Sequence, residues 1–225
     1  MLEDIVAKLK SMGKIDEHQI KMMEKYGINV NDIYGVKLPD IRAFAKKIGK
    51  DHELAQDLWN LHNRETMILA TLIEDKKLVT ESQIENWVLQ FNSWEIVDQC
   101  CINLIVNLPF ANRKAMEWSE REEEFVKRAG FSLMAVIAVH DKKSADSAFF
   151  PFLEQVKKHS SDDRNFVKKS VNWALRQIGK RNKTLNAKAL VYAREIMKME
   201  SKAAQWNAED AIKELESDSI QKKLK

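Results

Sequence analysis

The chain has 225 residues, 44% of them hydrophobic and 32% charged, with a net charge of +3. That length suits one large domain or a repeat array, and the apolar fraction is enough for a sizeable core. With only 6 Gly and 3 Pro there is little punctuation for β-hairpins, and no Gly-rich phosphate-binding motif is present. The two cysteines, Cys100 and Cys101, are adjacent. On a helix they point about 100° apart, so they read as buried thiols in a reducing compartment rather than a disulfide. The five histidines show no metal-ligand spacing, so no metal and no cofactor are expected. The start, Met1-Leu2-Glu3-Asp4, is acidic and no long apolar run follows, so a cytoplasmic protein without a membrane anchor is expected.

In chain order, residues 2–11 and 16–26 read as short helices stopped by Gly13 and Gly27. The stretch from Tyr34 to Arg42 is a loop feeding a helix, with Pro39 in its first turn. From about residue 51 the chain becomes a series of helix pairs. The pairs are 53–61 with 64–73, 82–91 with 94–107, 112–118 with 125–140, 145–159 with 166–180, and 185–199 with 206–216. Thr80, Ser93, Ser144 and Asp163 are candidate N-caps. No segment reads as a strand. Phe125-Val126-Lys127-Arg128 aligns with Phe166-Val167-Lys168-Lys169 at an offset of 41, and Trp206 follows Phe166 by 40 and Phe125 follows Trp94 by 31. A loose period built from helix pairs predicts an all-α fold, a curved α-solenoid of HEAT-like helix pairs forming a single domain over 1–217. The alternative is an irregular all-helical bundle. Residues 218–225 read as a basic tail that frays.

Two second helices carry candidate chemistry. In the first, Trp94 and Asp98 stand one turn apart beside an apolar face of Val97, Cys100, Cys101, Leu104 and Ile105. A carboxylate at the edge of a core stripe is costly without a partner or a task. In the second, Lys169, Trp173, Arg176 and Lys180 share one stripe, flanked by Arg164, Arg181 and Lys183. Cations with an interleaved aromatic form the footprint of a nucleic-acid backbone, or else a solvated basic face. Arg128 points away from its own helix's core set, and Gly130 permits close helix packing.

Three stretches resemble a known family: Tyr34 to Arg42, Ser93-Trp-Glu-Ile-Val-Asp98, and Phe166 to Arg176 with its Trp173. The closing Trp206 to Leu215 matches as well. Together they resemble the DNA alkylation repair family of HEAT-like-repeat DNA glycosylases, the AlkD-like alkylpurine glycosylases. The resemblance implies hydrolytic excision of N3- or N7-alkylated cationic purines from duplex DNA, without flipping the base into a pocket. By motif, Trp94 and Trp173 contact the deoxyribose of the lesion, Asp98 is the catalytic carboxylate, and Arg128 holds a nearby phosphate. The basic residues Arg164, Lys169, Arg176, Lys180, Arg181 and Lys183 bind DNA. Glu95 replaces the first acid of the family's Trp-Asp-x-x-Asp form, and the loops before Arg128 look shorter. A monomer acting on alkylated duplex DNA is expected. A non-catalytic DNA binder and a protein-interaction scaffold are the other readings the sequence allows.

Overall fold

A computed structural model describes residues 1–224, and among them there are helices and no strands. The chain divides into two compact units, residues 1–108 and residues 109 onward.

The first unit holds α1 (Leu2–Met12), α2 (Glu17–Lys25), α3 (Leu38–Ile48), α4 (His52–Trp59), α5 (Arg64–Ile73), α6 (Glu81–Val88) and α7 (Trp94–Asn103). The second holds α8 (Ala111–Ser119), α9 (Glu124–His140), α10 (Phe150–Lys158), α11 (Asn165–Gly179), α12 (Lys183–Ile196), α13 (Lys202–Leu215) and a short α14 (Asp218–Gln221). The expected pairs are therefore α4/α5, α6/α7, α8/α9, α10/α11 and α12/α13. Several start on a side-chain cap: Asp51 accepts from the Leu54 amide, Asn63 from Glu65 and Thr66, Thr80 from Gln83, and Asn182 from Leu185.

Other boundaries differ from the sequence reading. Ser93 sits at the N-cap of α7 without capping through its side chain. Arg164 rather than Asp163 occupies the N-cap of α11. A 3₁₀ turn at Asp146–Phe149 precedes α10, where Ser144 was expected to cap, and Asp141 accepts from the amides of Lys143 and Ser144 just before it. α7 ends at Asn103 and passes into a 3₁₀ turn at Ile105–Asn107. Past α13 the chain does not simply fray: Gln221 of α14 donates to the Leu215 carbonyl and to Asn186 Oδ1.

In the four pairs from α4/α5 to α10/α11 the second helix is the more buried one. Nearly all of α5 and the middle of α9 are withdrawn from solvent, including Arg128 at 6% exposure. α9 is sandwiched by α8 and α11. Gly130 explains how α8 comes so close: a Cβ there would lie 2.4 Å from the Ser119 amide nitrogen.

The repeat length can be read from the polar contacts between successive pairs. In the first unit the partners are about one constant interval apart. Arg64 with Glu95, Trp59 with Gln90, the Tyr34 amide with Glu65, and Asn63 with Asp32 all join residues 31 apart. In the second unit the interval is 38, in Arg128 with Phe166, Lys158 with Glu120, Lys157 with Glu195, Tyr192 with Glu154 and Arg176 with Glu214. Repetition at a fixed interval is what a stack of helix pairs produces, because each repeat touches mainly its neighbours.

Candidate nucleic-acid interface

In the first unit, Trp94 is the first residue of α7 and Asp98 stands one turn further along. Both are half-buried, in contrast to Val97, Cys100 and Cys101, which are fully enclosed. Burial pushes the Cys100 thiol far above the ordinary thiol range, so it is inert. The Trp94 indole is fixed from outside its own helix, because Nε1 donates to the Tyr26 carbonyl at the end of α2, 2.8 Å away.

The start of α7 is held from a second direction. Arg64, the first residue of α5, forks onto Glu95 with two bonds of 2.7 Å. Its Nη1 also donates to Glu65 at 2.8 Å and to the Val36 carbonyl at 3.1 Å. Burial opposes the charge on Arg64, but Glu95 and Glu65 outweigh it and hold the guanidinium's pKa above its ordinary value. Glu65 is fully buried and accepts from the amides of Tyr34, Gly35 and Val36 at 2.8, 3.1 and 3.2 Å. The Tyr34–Arg42 stretch is thus a loop wrapped round a carboxylate. The same stretch reaches α7 again through Arg42, whose Nη2 donates to Gln99 at 3.3 Å.

In the second unit, Arg128 of α9 donates from Nη1 to the Phe166 carbonyl in the first turn of α11, at 2.8 Å. Trp173 is half-buried on α11. With the Gln177 carboxamide oriented so that its oxygen meets donors, Trp173 Nε1 lies 3.0 Å and Lys180 Nζ 3.2 Å from that oxygen.

The basic stripe divides into two groups. Lys169 and Lys183 are exposed. The other four cations have partners within the unit. Arg176 pairs with Glu214 and lies 3.5 Å from Asp210, and Lys180 binds Glu214 at 2.7 Å. Burial raises the Glu214 pKa, but Lys180 and Arg176 outweigh it and leave it below the usual carboxylate value. Arg164 forks onto Asp162 at 3.0 and 2.6 Å and donates to the Glu122 carbonyl at 2.6 Å. Arg181 donates to the carbonyls of Ala138, Asp141 and Ser144 and lies 4.4 Å over the Phe149 ring. Apart from Asp162, these partners sit roughly one repeat away, so a wheel drawn for α11 alone cannot show them. The acids Asp210 and Glu214, one turn apart on α13, were the available signal.

No group of three or more metal-ligand side chains occurs among the described residues, and no described helix is long and apolar enough to cross a membrane.

A sequence model of the family described as "DNA alkylation repair enzyme" matches residues 5–215. The chain belongs to the DNA alkylation repair enzyme family. The match spans both units, and with it the motif residues Trp94, Asp98, Arg128 and Trp173. Two similar proteins of the same length class are Lin0241 of Listeria innocua, 24% identical, and Lmo0209 of Listeria monocytogenes, 23% identical. Each alignment covers 80% of this chain and 80% of the relative, and both relatives are described as uncharacterized. A solved structure also superposes over 100% of this chain and 97% of its own, with a TM-score of 0.81 and 22% identity. It is described as "a new family of proteins related to the HEAT-like repeat DNA glycosylases with affinity for branched DNA structures". That likeness shows the fold: this DNA alkylation repair family member has the HEAT-like repeat fold.

Proposed function

We propose that this family member is a DNA glycosylase that hydrolyses the N-glycosidic bond of N3- and N7-alkylated purines in duplex DNA, working as a monomer. The observation that carries the reading is the Trp94–Asp98 pair on α7, with the Trp94 indole pinned by the Tyr26 carbonyl and the helix start clamped by Arg64. Fixed geometry at the reacting groups is what such a site needs.

The chemistry asks little of the protein. An alkylated purine already carries positive charge, so it leaves with the electron pair of the C1′–N bond and needs no strong general acid. Positive charge develops on the sugar. The Asp98 carboxylate stabilises that charge, orients the water that adds to C1′ and accepts the proton this water gives up. An indole face from Trp94, and one from Trp173, adds cation–π attraction of about 0.5–2 kcal/mol each. Arg128 holds a phosphate near the lesion. Lys169 and Lys183 supply charge to the DNA backbone directly. Arg164, Arg176, Lys180 and Arg181 contribute with part of their charge already offset by internal partners.

A second reading is a DNA binder without chemistry. It is favoured by the affinity for branched DNA of the protein family whose structure superposes on this chain. One experiment separates the two: single-turnover excision on duplex DNA carrying 7-methylguanine, with binding to the same duplex measured alongside. Base release supports the glycosylase. Tight binding with no release by the wild-type protein supports the second reading.

A further inference from the structure

The second unit carries an aromatic row that the proposed chemistry does not use. Phe125, Phe166 and Trp206 lie in the first two turns of α9, α11 and α13, at sequence offsets of 41 and 40. The Phe125 and Phe166 rings stack with centroids 5.5 Å apart at 29°. Trp206 is 40% exposed, and Lys168 Nζ sits 5.0 Å from its ring centroid. Phe125 and Phe166 are half-buried. Rings that serve only the core of this unit are withdrawn completely, as Phe131 and Phe149 are. Large aromatics repeated at the solvent edge of successive helices are a poor use of apolar surface unless something covers them.

The charge around the row indicates what that is. Three of the acids near its Phe125 end are offset locally, Glu124 and Asp163 standing beside them: Arg121 pairs with Glu123, Lys127 lies 4.0 Å from Glu122 and 3.8 Å from Asp162, and Arg164 forks onto Asp162. Lys168 adds positive charge beside the Trp206 ring. The N-terminal ends of α9 and α11 add partial positive charge of their own. Flat apolar rings beside cations suit a ligand that alternates flat aromatic groups with anions. Unpaired nucleotides have that chemistry, whereas the bases of an intact duplex keep their faces stacked inside.

We propose that the Phe125–Phe166–Trp206 row is a stacking rail for unpaired bases of DNA, with Lys168 meeting the phosphates between them. The proposal rests on the reading that DNA is the ligand and is independent of whether a base is excised. It gives this protein a site for frayed, gapped or branched DNA in addition to its duplex site.

The test compares the affinity of the full chain for a blunt duplex and for the same duplex with a short single-stranded extension, at one salt concentration. The variants are Trp206→Leu, Trp206→Phe and Phe166→Leu, each checked for an unchanged melting temperature. The extension is expected to tighten binding by about tenfold, the value of stacking one or two bases. Trp206→Leu abolishes that gain and leaves blunt-duplex affinity alone. Trp206→Phe keeps most of the gain, which separates stacking from packing. An extension that adds nothing to the wild type overturns the rail, and so does a gain that survives both leucine variants. Failure to bind even the blunt duplex at low salt overturns the DNA reading itself.

Discussion

Two carboxylates on adjacent second helices of the first unit are treated differently. Glu65 is fully buried and receives three backbone amides and Arg64, so its job is to hold the 34–36 loop and, through Arg64, the start of α7. Replacing it with Ala leaves a buried guanidinium and amides uncompensated. Such a loss costs about 3–5 kcal/mol, and urea unfolding of Glu65→Ala should show a destabilisation of that size. Asp98 is half-buried one turn from Trp94, and the family resemblance implies the role of catalytic carboxylate for it. The pairing of Trp94 and Asp98 was legible because two residues four apart on one helix need no knowledge of the rest of the fold. The Arg64–Glu95 fork was not legible, because its partners come from different helices and nothing local marks them. The same limit applied to the basic stripe, where four of six cations turned out to have internal partners. This divides their mutants. Lys169→Ala and Lys183→Ala should weaken duplex binding and each reduce the magnitude of the salt slope by about 1. Arg181→Gln should instead lower stability, because it strips three carbonyls of their donor.

At the scale of elements, helix existence followed from apolar periodicity and caps, while starts drifted most at α10, which a 3₁₀ turn precedes, and at α13, which begins at Lys202 behind the Ser201 cap rather than at Trp206. The turn after α9 is a case. Asp141, rather than Ser144 alone, organises it: hydrogen bonds from Ser144, side chain and amide, and from the Lys143 amide hold its carboxyl at about 2. A depressed carboxylate stabilises the fold above its unfolded value and loses that contribution as pH falls through the folded one. The contribution is therefore complete above about pH 4 and disappears toward pH 2. Carboxyl titration by NMR should place Asp141 near 2, and Asp141→Asn should flatten that part of the acid limb. Gly130 tests helix packing in the same unit. Ala gains about 1 kcal/mol of helix propensity over Gly. Yet a Cβ 2.4 Å from the Ser119 nitrogen and 2.9 Å from the Ala115 carbonyl forces α8 and α9 apart. Gly130→Ala should destabilise by about 1–3 kcal/mol despite the propensity gain.

At the scale of the whole molecule, the sequence offsets of 31, 40 and 41 already contained the repeat, but its two lengths emerged only from the contacts. Polar pairs 31 apart in the first unit and 38 apart in the second show that the repeat lengthens along the chain. Single-sequence alignment of aromatic residues blurred the two, because loops differ while helix faces do not. Family membership covers both units and supplies the context in which Trp94 and Asp98 acquire chemical meaning. The most direct test of that meaning is single-turnover excision of 7-methylguanine from duplex DNA by the wild type and by Asp98→Asn, with the affinity of both for the lesion duplex. Loss of at least 1.4 kcal/mol of transition-state stabilisation, a rate drop of tenfold or more, with affinity unchanged is the predicted result. Full excision by Asp98→Asn would contradict it.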